Sequence, residues 1–277
     1  NARLAAIKAE AASQVNFKQA AERYIGGYRD SWKNEKHAAQ WPSSLERYAY
    51  PAFGALSVAK VETRHVLQAI EPIWSTKTET ASRVRGRIEL ILDWATVRGM
   101  RKGENPARWR GHLDKILPQR SKVSKVKHHA AMPYSAVPAF MAQLRDMDFI
   151  SARALELTIL CATRTNETIA ATWPEFDLTA KVWTIPAERM KAGKEHRIPL
   201  SARCVDILKA VPRIEGEKFV FPGARAGRPL SNMAMLELMR GTDDAAEFTV
   251  HGFRSSFRDW AGEQTSFARE IIETAMG

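Results

Sequence analysis

Cysteine is scarce: the chain holds two among 277 residues, Cys161 and Cys204, with no CxxC and no Cys/His spacing around them. A disulfide scaffold is thereby excluded, and both thiols read as small buried hydrophobes of a reducing compartment rather than as metal ligands. No apolar run approaches 18 residues, which excludes a membrane-spanning helix, and the opening segment NARLAAIKAEAASQ has neither a methionine nor a signal-peptide core. A cytosolic protein that continues before Asn1 is the expectation. Glycine (15) and proline (13) are too few for a collagen or a low-complexity linker, while 45% hydrophobic and 26% charged residues fit a globular chain long enough for two domains. Acidic residues are in deficit, 31 against 42 Lys and Arg, giving a formal net charge of +11 and a pI near 9.8. Such an excess asks for a polyanionic partner, and nucleic acid leads. Tyrosine is also rare: Tyr24, Tyr28, Tyr48, Tyr50 and Tyr134 are all there are.

The positive charge is unevenly placed. Residues 1–130 carry 24 basic and 12 acidic residues, whereas residues 131–277 carry 18 and 19. Density peaks over 81–130, with 13 basic against 4 acidic residues, and ends in the run from Gln119 to His129. A basic face followed by a basic connector is the footprint expected for a phosphate backbone; a solvated face alone does not explain why the second half lacks the excess.

Helical periodicity runs through the first half. Phe17, Ala20, Ala21, Tyr24, Ile25 and Tyr28 share a face, and Ser43 with Glu46 forms a capping-box signature for a short helix that Pro51 should stop. A third helix is expected over 63–74, with Val66, Leu67, Ile70 and Trp74 on one side. In the fourth, Val84, Ile88, Ile91 and Ala95 make the apolar stripe and Gly99 a C-terminal cap. Arg83, Arg85 and Arg87 then fall in its first two turns, where they oppose the helix dipole, a cost that nearby phosphates would offset. They read as DNA contacts, with exposed structural arginines as the alternative.

Residues 117–132 are rich in Lys, Ser and His without apolar periodicity, and they mark the domain boundary. Extended at ~3.3 Å per residue, such a linker reaches roughly 50 Å, enough to pass around a duplex. Beyond it lie helix signals at 135–144 and 151–162. Two short strands follow, 181–185 and 196–200, around a loop holding Ala192 and Gly193, and then helices at 201–210, 231–240, 251–263 and 267–275. The fold class is mainly α with a small antiparallel β-sheet or hairpin.

Three local arrangements could carry chemistry. Arg164 opens a helix, with Glu167 three residues on to hold its guanidinium or cap the helix. Lys191 and Lys194 stand in the turn between the strands, where an ammonium could reach a phosphate or protonate a leaving oxygen. His251 and Arg254 lie three apart on one helical face, with Phe253, Phe257 and Trp260 suited to the buried side. Each alone has a bland reading: a structural ion pair, solvated turn lysines, a surface histidine.

Taken in order and spacing, they resemble the tyrosine recombinases, specifically the phage-type integrases of prophages and genomic islands. Arg164 with Glu167 matches the family's R-x-x-E helix start, Lys191 lies eight residues before Pro199 of the I-P-L strand, and His251 with Arg254 matches the late H-x-x-R. The segment from Phe17 to Pro118, with WPSSLERYAYPAFG and ENPARW, resembles the family's helical core-binding domain. The likeness implies a leading segment over 1–16, a core-type DNA-binding domain over 17–116, a basic linker over 117–132 and a catalytic domain over 133–277.

What the resemblance implies is DNA strand exchange through a 3′-phosphotyrosyl intermediate, with no metal or nucleotide cofactor. Arg164 and Arg254 would bind the non-bridging oxygens of the scissile phosphate, Glu167 would support Arg164, Lys191 would be the general acid for the 5′-oxygen, and His251 would assist. Lys194 competes for the lysine role; Lys191 has the matching interval to Pro199. Arg83, Arg85, Arg87, Lys122, Lys125 and Lys127 would contact DNA. The implied partners are a double-stranded attachment site, further copies forming a tetramer on it, and accessory DNA-bending proteins, all at the bacterial nucleoid. One element is missing. The family's nucleophilic tyrosine follows a second histidine (sometimes tryptophan) in a late L-G-H type segment, and the sequence stops at Ala275, Met276, Gly277. None of the five tyrosines holds that place, so a chain incomplete at its C-terminus that binds DNA without covalent cleavage is expected.

Two other classes stay open on the residues. A non-catalytic DNA-binding protein would suit the missing tyrosine but leaves the Arg164, Lys191, His251 and Arg254 set unexplained. A metal-dependent nuclease would need clustered ligands, and Asp243, Asp244 and Glu247 read as a solvated turn.

Overall fold

The computed structural model describes residues 15–32, 35–123 and 129–277. The chain divides into two compact units, 1–127 and 128–277. Lys125 and Lys127 lie outside the described residues.

The first unit is helical throughout its described part. Helix α1 (Phe17–Tyr28) starts at Asn16, whose side chain accepts the Gln19 amide at 2.8 Å while the Gln19 side chain accepts the Asn16 amide, a reciprocal cap. Helix α2 runs Glu35–Tyr48, short α3 spans Tyr50–Phe53, α4 spans Thr63–Trp74 and α5 spans Thr78–Val97. Their apolar faces meet in one core around Phe17, Leu45, Ile70, Ile88, Ile91 and Leu92, all fully buried. The expected 17–28 and 63–74 helices form as read.

The Ser43–Glu46 signature does not open a helix: both residues, and Pro42 before them, sit inside α2. Burial of Ala38, Trp41, Leu45 and Ala49 at helical spacing outweighs the local capping signal. The helix does end just ahead of Pro51, at Tyr48, and Pro51 itself stands in the first turn of α3, where proline lacks no needed hydrogen bond. The connector is shared out. Leu117 is buried in the first unit's core, Arg120–Val123 forms a further helical turn, α6, and residues 130–132 pack into the second unit.

In the second unit α7 (Val137–Asp146) and α8 (Ile150–Leu160) lead into short α9 (Thr165–Ile169). Strands β1 (Phe176–Asp177), β2 (Val182–Ile185) and β3 (His196–Pro199) form an antiparallel sheet in that order. Trp183 pairs with Ile198 and Ile185 with His196, so alternation buries Trp183, Ile185 and Ile198 on one face. Helices α10 (Ala202–Ala210), α11 (Ala234–Arg240), α12 (Gly252–Gln264) and α13 (Arg269–Met276) complete the unit. The observed class is mainly helical with a small three-stranded sheet, and β1 is the strand the sequence patterning did not show. Trp260, expected on the buried side of α12, is 44% exposed, while Phe253 is buried. No helix among the described residues is long and apolar enough to cross a membrane.

Glu156 on α8 holds three helices together. Its carboxylate is wholly buried, accepts two hydrogen bonds from Arg203 of α10 at 2.7 and 2.9 Å, and pairs with Arg153 and with Arg145 of α7. Removing it would leave three arginines, none of them fully buried, without their shared partner.

Candidate functional site

Helix α8 ends in a full Schellman turn. Ala162 donates to Ile159 O, Thr163 to Thr158 O, and Ala162 takes a left-handed φ of 50°. Glycine is the usual residue there; a Cβ costs about 1 kcal/mol. That turn delivers Arg164 to the start of α9. Glu167, buried, accepts the Arg164 backbone amide and one guanidinium N–H, both at 2.7 Å, so it caps the helix and holds the side chain at once. The other terminal nitrogen of Arg164 donates to Gly277 O at 2.7 Å.

Arg254 arrives from α12. His251 stands just before that helix and Arg254 one turn on, so both project to one side. Gly252 between them cannot carry a side chain, because a Cβ would lie 2.2 Å from Ala130 O. The guanidinium of Arg254 donates to Ala162 O at 2.5 Å and to Met276 O at 2.8 Å. Arg164 and Arg254 therefore reach adjacent backbone oxygens of α13's end.

The charges do not balance. Burial pushes the Arg254 guanidinium below its usual range, and Arg164 beside it pushes the same way, with Glu167 and Glu273 opposing. His251 is likewise held below its ordinary 6.5, first by partial desolvation, then by His129, Arg254 and Arg164. The His129 and His251 rings meet edge to face at 4.8 Å. Two arginines and two histidines thus stand close together, an arrangement that an incoming anion would relieve.

The hairpin supplies the remaining groups. Lys191 and Lys194 are exposed in the turn between β2 and β3, and neither has an ion pair among the described residues. A Cβ on Gly277 would come 2.9 Å from Met190 Cε and 3.3 Å from His196 Nε2, which places the hairpin against the residue that Arg164 holds. Arg189 ties that hairpin to α9. It donates to both carboxylate oxygens of Glu175 and to the carbonyls of Asn166 and Glu167, while Trp183 Nε1 donates to Glu175 at 2.9 Å. Sequence reading missed His196 and Arg189. The signal for both was proximity to Lys191 in a hairpin of short strands.

In the first unit the three α5 arginines part company. The helix opens at Thr78, so all three lie beyond its first turn, where the dipole has little effect. Arg87 is 7% exposed, donating to Gln40 O and to Ser44 Oγ and covering the Trp41 ring. Arg85 bonds Glu89 and Ala107 O. Both are committed to packing, because they share the inward side with Val84, Ile88 and Ile91. Arg83 is exposed, pairs with Glu79 at 2.9 Å, and lines a polar cleft of about 300 Å³ with Arg47 and Thr80. Lys122 is exposed on α6. Asp244 accepts from Gln143, and among the described residues no three His, Cys, Asp or Glu side chains gather as a metal-holding group.

Residues 17–112 match the phage integrase central domain and residues 132–268 match the phage integrase family, together most of the chain. The chain belongs to the phage integrase family. This phage-type tyrosine recombinase sequence is 32% identical to prophage integrase IntZ of Escherichia coli (strain K12) over 261 residues, covering 94% of the chain and 63% of IntZ. It is 30% identical to the integrase of Enterobacteria phage P4 over 262 residues, covering 87% of the chain and 57% of that integrase. The chain thus spans about three fifths of the length of these curated relatives. The integrase fold extends to a lambda integrase (75–356) dimer bound to a COC′ core site, with a TM-score of 0.72, 14% identity, and 95% of each chain covered. A Tn1549 transposon integrase (aa 82–397) in complex with circular intermediate DNA gives a TM-score of 0.69 at 13% identity, covering 95% of this chain and 92% of that one.

Proposed function

We propose that the chain is the DNA-gripping and phosphate-binding part of a site-specific recombinase that cuts and rejoins a double-stranded attachment site. The reading rests on one observation above others: Arg164 and Arg254, from different helices, direct N–H groups at adjacent backbone oxygens, with Glu167 bonded to Arg164 and Glu167 and Glu273 both attracting Arg254. In the reaction they would bind the non-bridging oxygens of the scissile phosphate and stabilise the extra charge of its five-coordinate transition state. Guanidinium suits this because it stays ionised and binds in a fork. Lys191, free in its turn, would protonate the departing 5′-oxygen, and His251 would share a proton or the phosphate. Exchanging a phosphodiester for a 3′-phosphotyrosyl bond conserves bond energy, so resealing needs no nucleotide.

The nucleophile is not among these 277 residues on this reading. Tyr134, the second unit's one tyrosine, bonds Glu263 and Gln264, and the Glu263 contact raises its pKa. Glu263 sits nine positions beyond Arg254 on α12, about 13 Å along the helix axis at 1.5 Å per residue. A phenol so placed lacks the cationic surroundings it needs to act near pH 7. In the first unit Arg83, Arg47 and Lys122 would contact the backbone, with Arg85 and Arg87 stiffening the surface behind them. Lys125 and Lys127 would add to the salt-dependent attraction. Self-association to a tetramer on DNA and accessory bending proteins belong to the same reading.

The test is a nicked suicide substrate carrying the attachment sequence. The chain should bind it, with affinity falling steeply between about 50 and 200 mM salt, and yield no covalent adduct. An adduct would show that a tyrosine of this chain is the nucleophile, and salt-insensitive binding would remove the basic first unit as the grip.

A further inference from the structure

The two cysteines, 43 positions apart in sequence, meet in the fold. Their Sγ atoms lie 3.9 Å apart, both residues buried. Cys161 caps the C-terminus of α8 just before the left-handed Ala162 turn, and Cys204 lies in the first turn of α10. Resting on the phosphate-binding reading above, we propose that this pair is a peroxide-sensitive dithiol whose closure to a disulfide displaces the 161–164 turn and loosens the Arg164–Arg254 grip.

Three features support it. A disulfide needs about 2.05 Å between sulfurs, so closure requires a shift of about 1.9 Å. Helix α10 is pinned to α8 by the two-point Arg203–Glu156 pair, so the yielding element is the turn, which already holds a non-glycine residue at φ 50°. Its Ala162 carbonyl receives Arg254 directly and its next-but-one residue is Arg164, so displacement there reaches both arginines. The thiols are also unequal. Cys161 hydrogen bonding and the Ser201 hydroxyl bring the Cys204 thiol down to about 7, while Cys161 is pushed well up. A helix N-terminus favours a thiolate in the same sense.

Cys204 as thiolate would attack one oxygen of a peroxide, breaking the O–O bond, taking that oxygen as a sulfenic acid and releasing hydroxide. The Cys161 sulfur would then attack the Cys204 sulfur, forming S–S as hydroxide leaves and the Cys161 proton passes to it. The balance is two thiols and one hydrogen peroxide to one disulfide and two waters, the thiols supplying both electrons.

The experiment uses the whole chain and hydrogen peroxide. After alkylation in denaturant, the oxidised protein should carry no alkyl group and show the loss of about 2 Da (two hydrogen atoms) from its intact mass, a tryptic peptide joining Cys161 to Cys204, and reversal by dithiothreitol. Its affinity for a duplex should fall to about that of Arg164→Ala, several-fold below the reduced chain, and the double variant Cys161→Ala, Cys204→Ala should bind equally before and after peroxide. Two alkylatable thiols after treatment would overturn the dithiol, and a disulfide with unchanged affinity would overturn its control of the arginines. Should Arg164→Ala in the reduced chain leave affinity unchanged, the phosphate-binding reading fails with the regulatory half, while the mass measurement still judges the dithiol.

Discussion

Both units carry buried or half-buried arginines, and the two sets end differently. Arg85 and Arg87 of the first unit are bonded to the protein itself, as are Arg153 and Arg203 of the second through Glu156. Arg164 has one bonded carboxylate, Glu167, and Arg254 has none; they place their other bonds on backbone oxygens, of Gly277 for Arg164 and of Ala162 and Met276 for Arg254. Net charge therefore misleads about where chemistry lies. The half with the basic excess uses several of its cations as struts, whereas the nearly neutral half concentrates an uncompensated few.

Substitutions can break that contrast. The largest effect is expected from Glu156→Ala, which removes a wholly buried carboxylate with its two charge-assisted bonds to Arg203 and should cost about 3 kcal/mol in chemical denaturation. If Glu156 were dispensable, the second unit's bonded arginines would not be struts. Next, Arg87→Ala should lower stability by about 2–3 kcal/mol, since charge-assisted bonds and ring packing are lost, while exposed Arg83→Ala should leave stability within about 0.5 kcal/mol and weaken DNA binding. Equal stability losses at both positions would blur the distinction. The smallest effect concerns pH. His251 is held below 6.5 in the fold, so the folded chain favours its neutral form, and the associated stability is present above pH 6.5 and lost as pH falls toward the lowered value. His251→Gln should flatten that part of the stability profile. Bound DNA phosphate should act oppositely, so binding should take up a proton.

Much of this was legible from residue spacing. The intervals put Arg164 and His251–Arg254 forward, and the structure brings the two arginines to adjacent backbone oxygens, while helices over 17–28 and 63–74 followed from periodicity. Arg87 was legible too, three residues after Val84 and four before Ile91, but counting it as charge hid that it faces inward. The Ser43–Glu46 misreading shows a short local motif losing to tertiary burial of Trp41 and Leu45. Contacts between distant positions left no trace in the sequence: Cys161 with Cys204, Glu156 with Arg203, and Gly277 against Met190 and His196. Such pairings are set by how helices cross, and local periodicity carries no record of that.

A double-mutant cycle on duplex affinity, comparing the chain with Arg164→Ala, Arg254→Ala and both, tests the shared phosphate most directly. Two arginines on one phosphate should be coupled, so the double variant should lose clearly less than the product of the single losses, a coupling of about 0.5–3 kcal/mol. Independent losses that multiply, or no loss at either position, would contradict a common phosphate site.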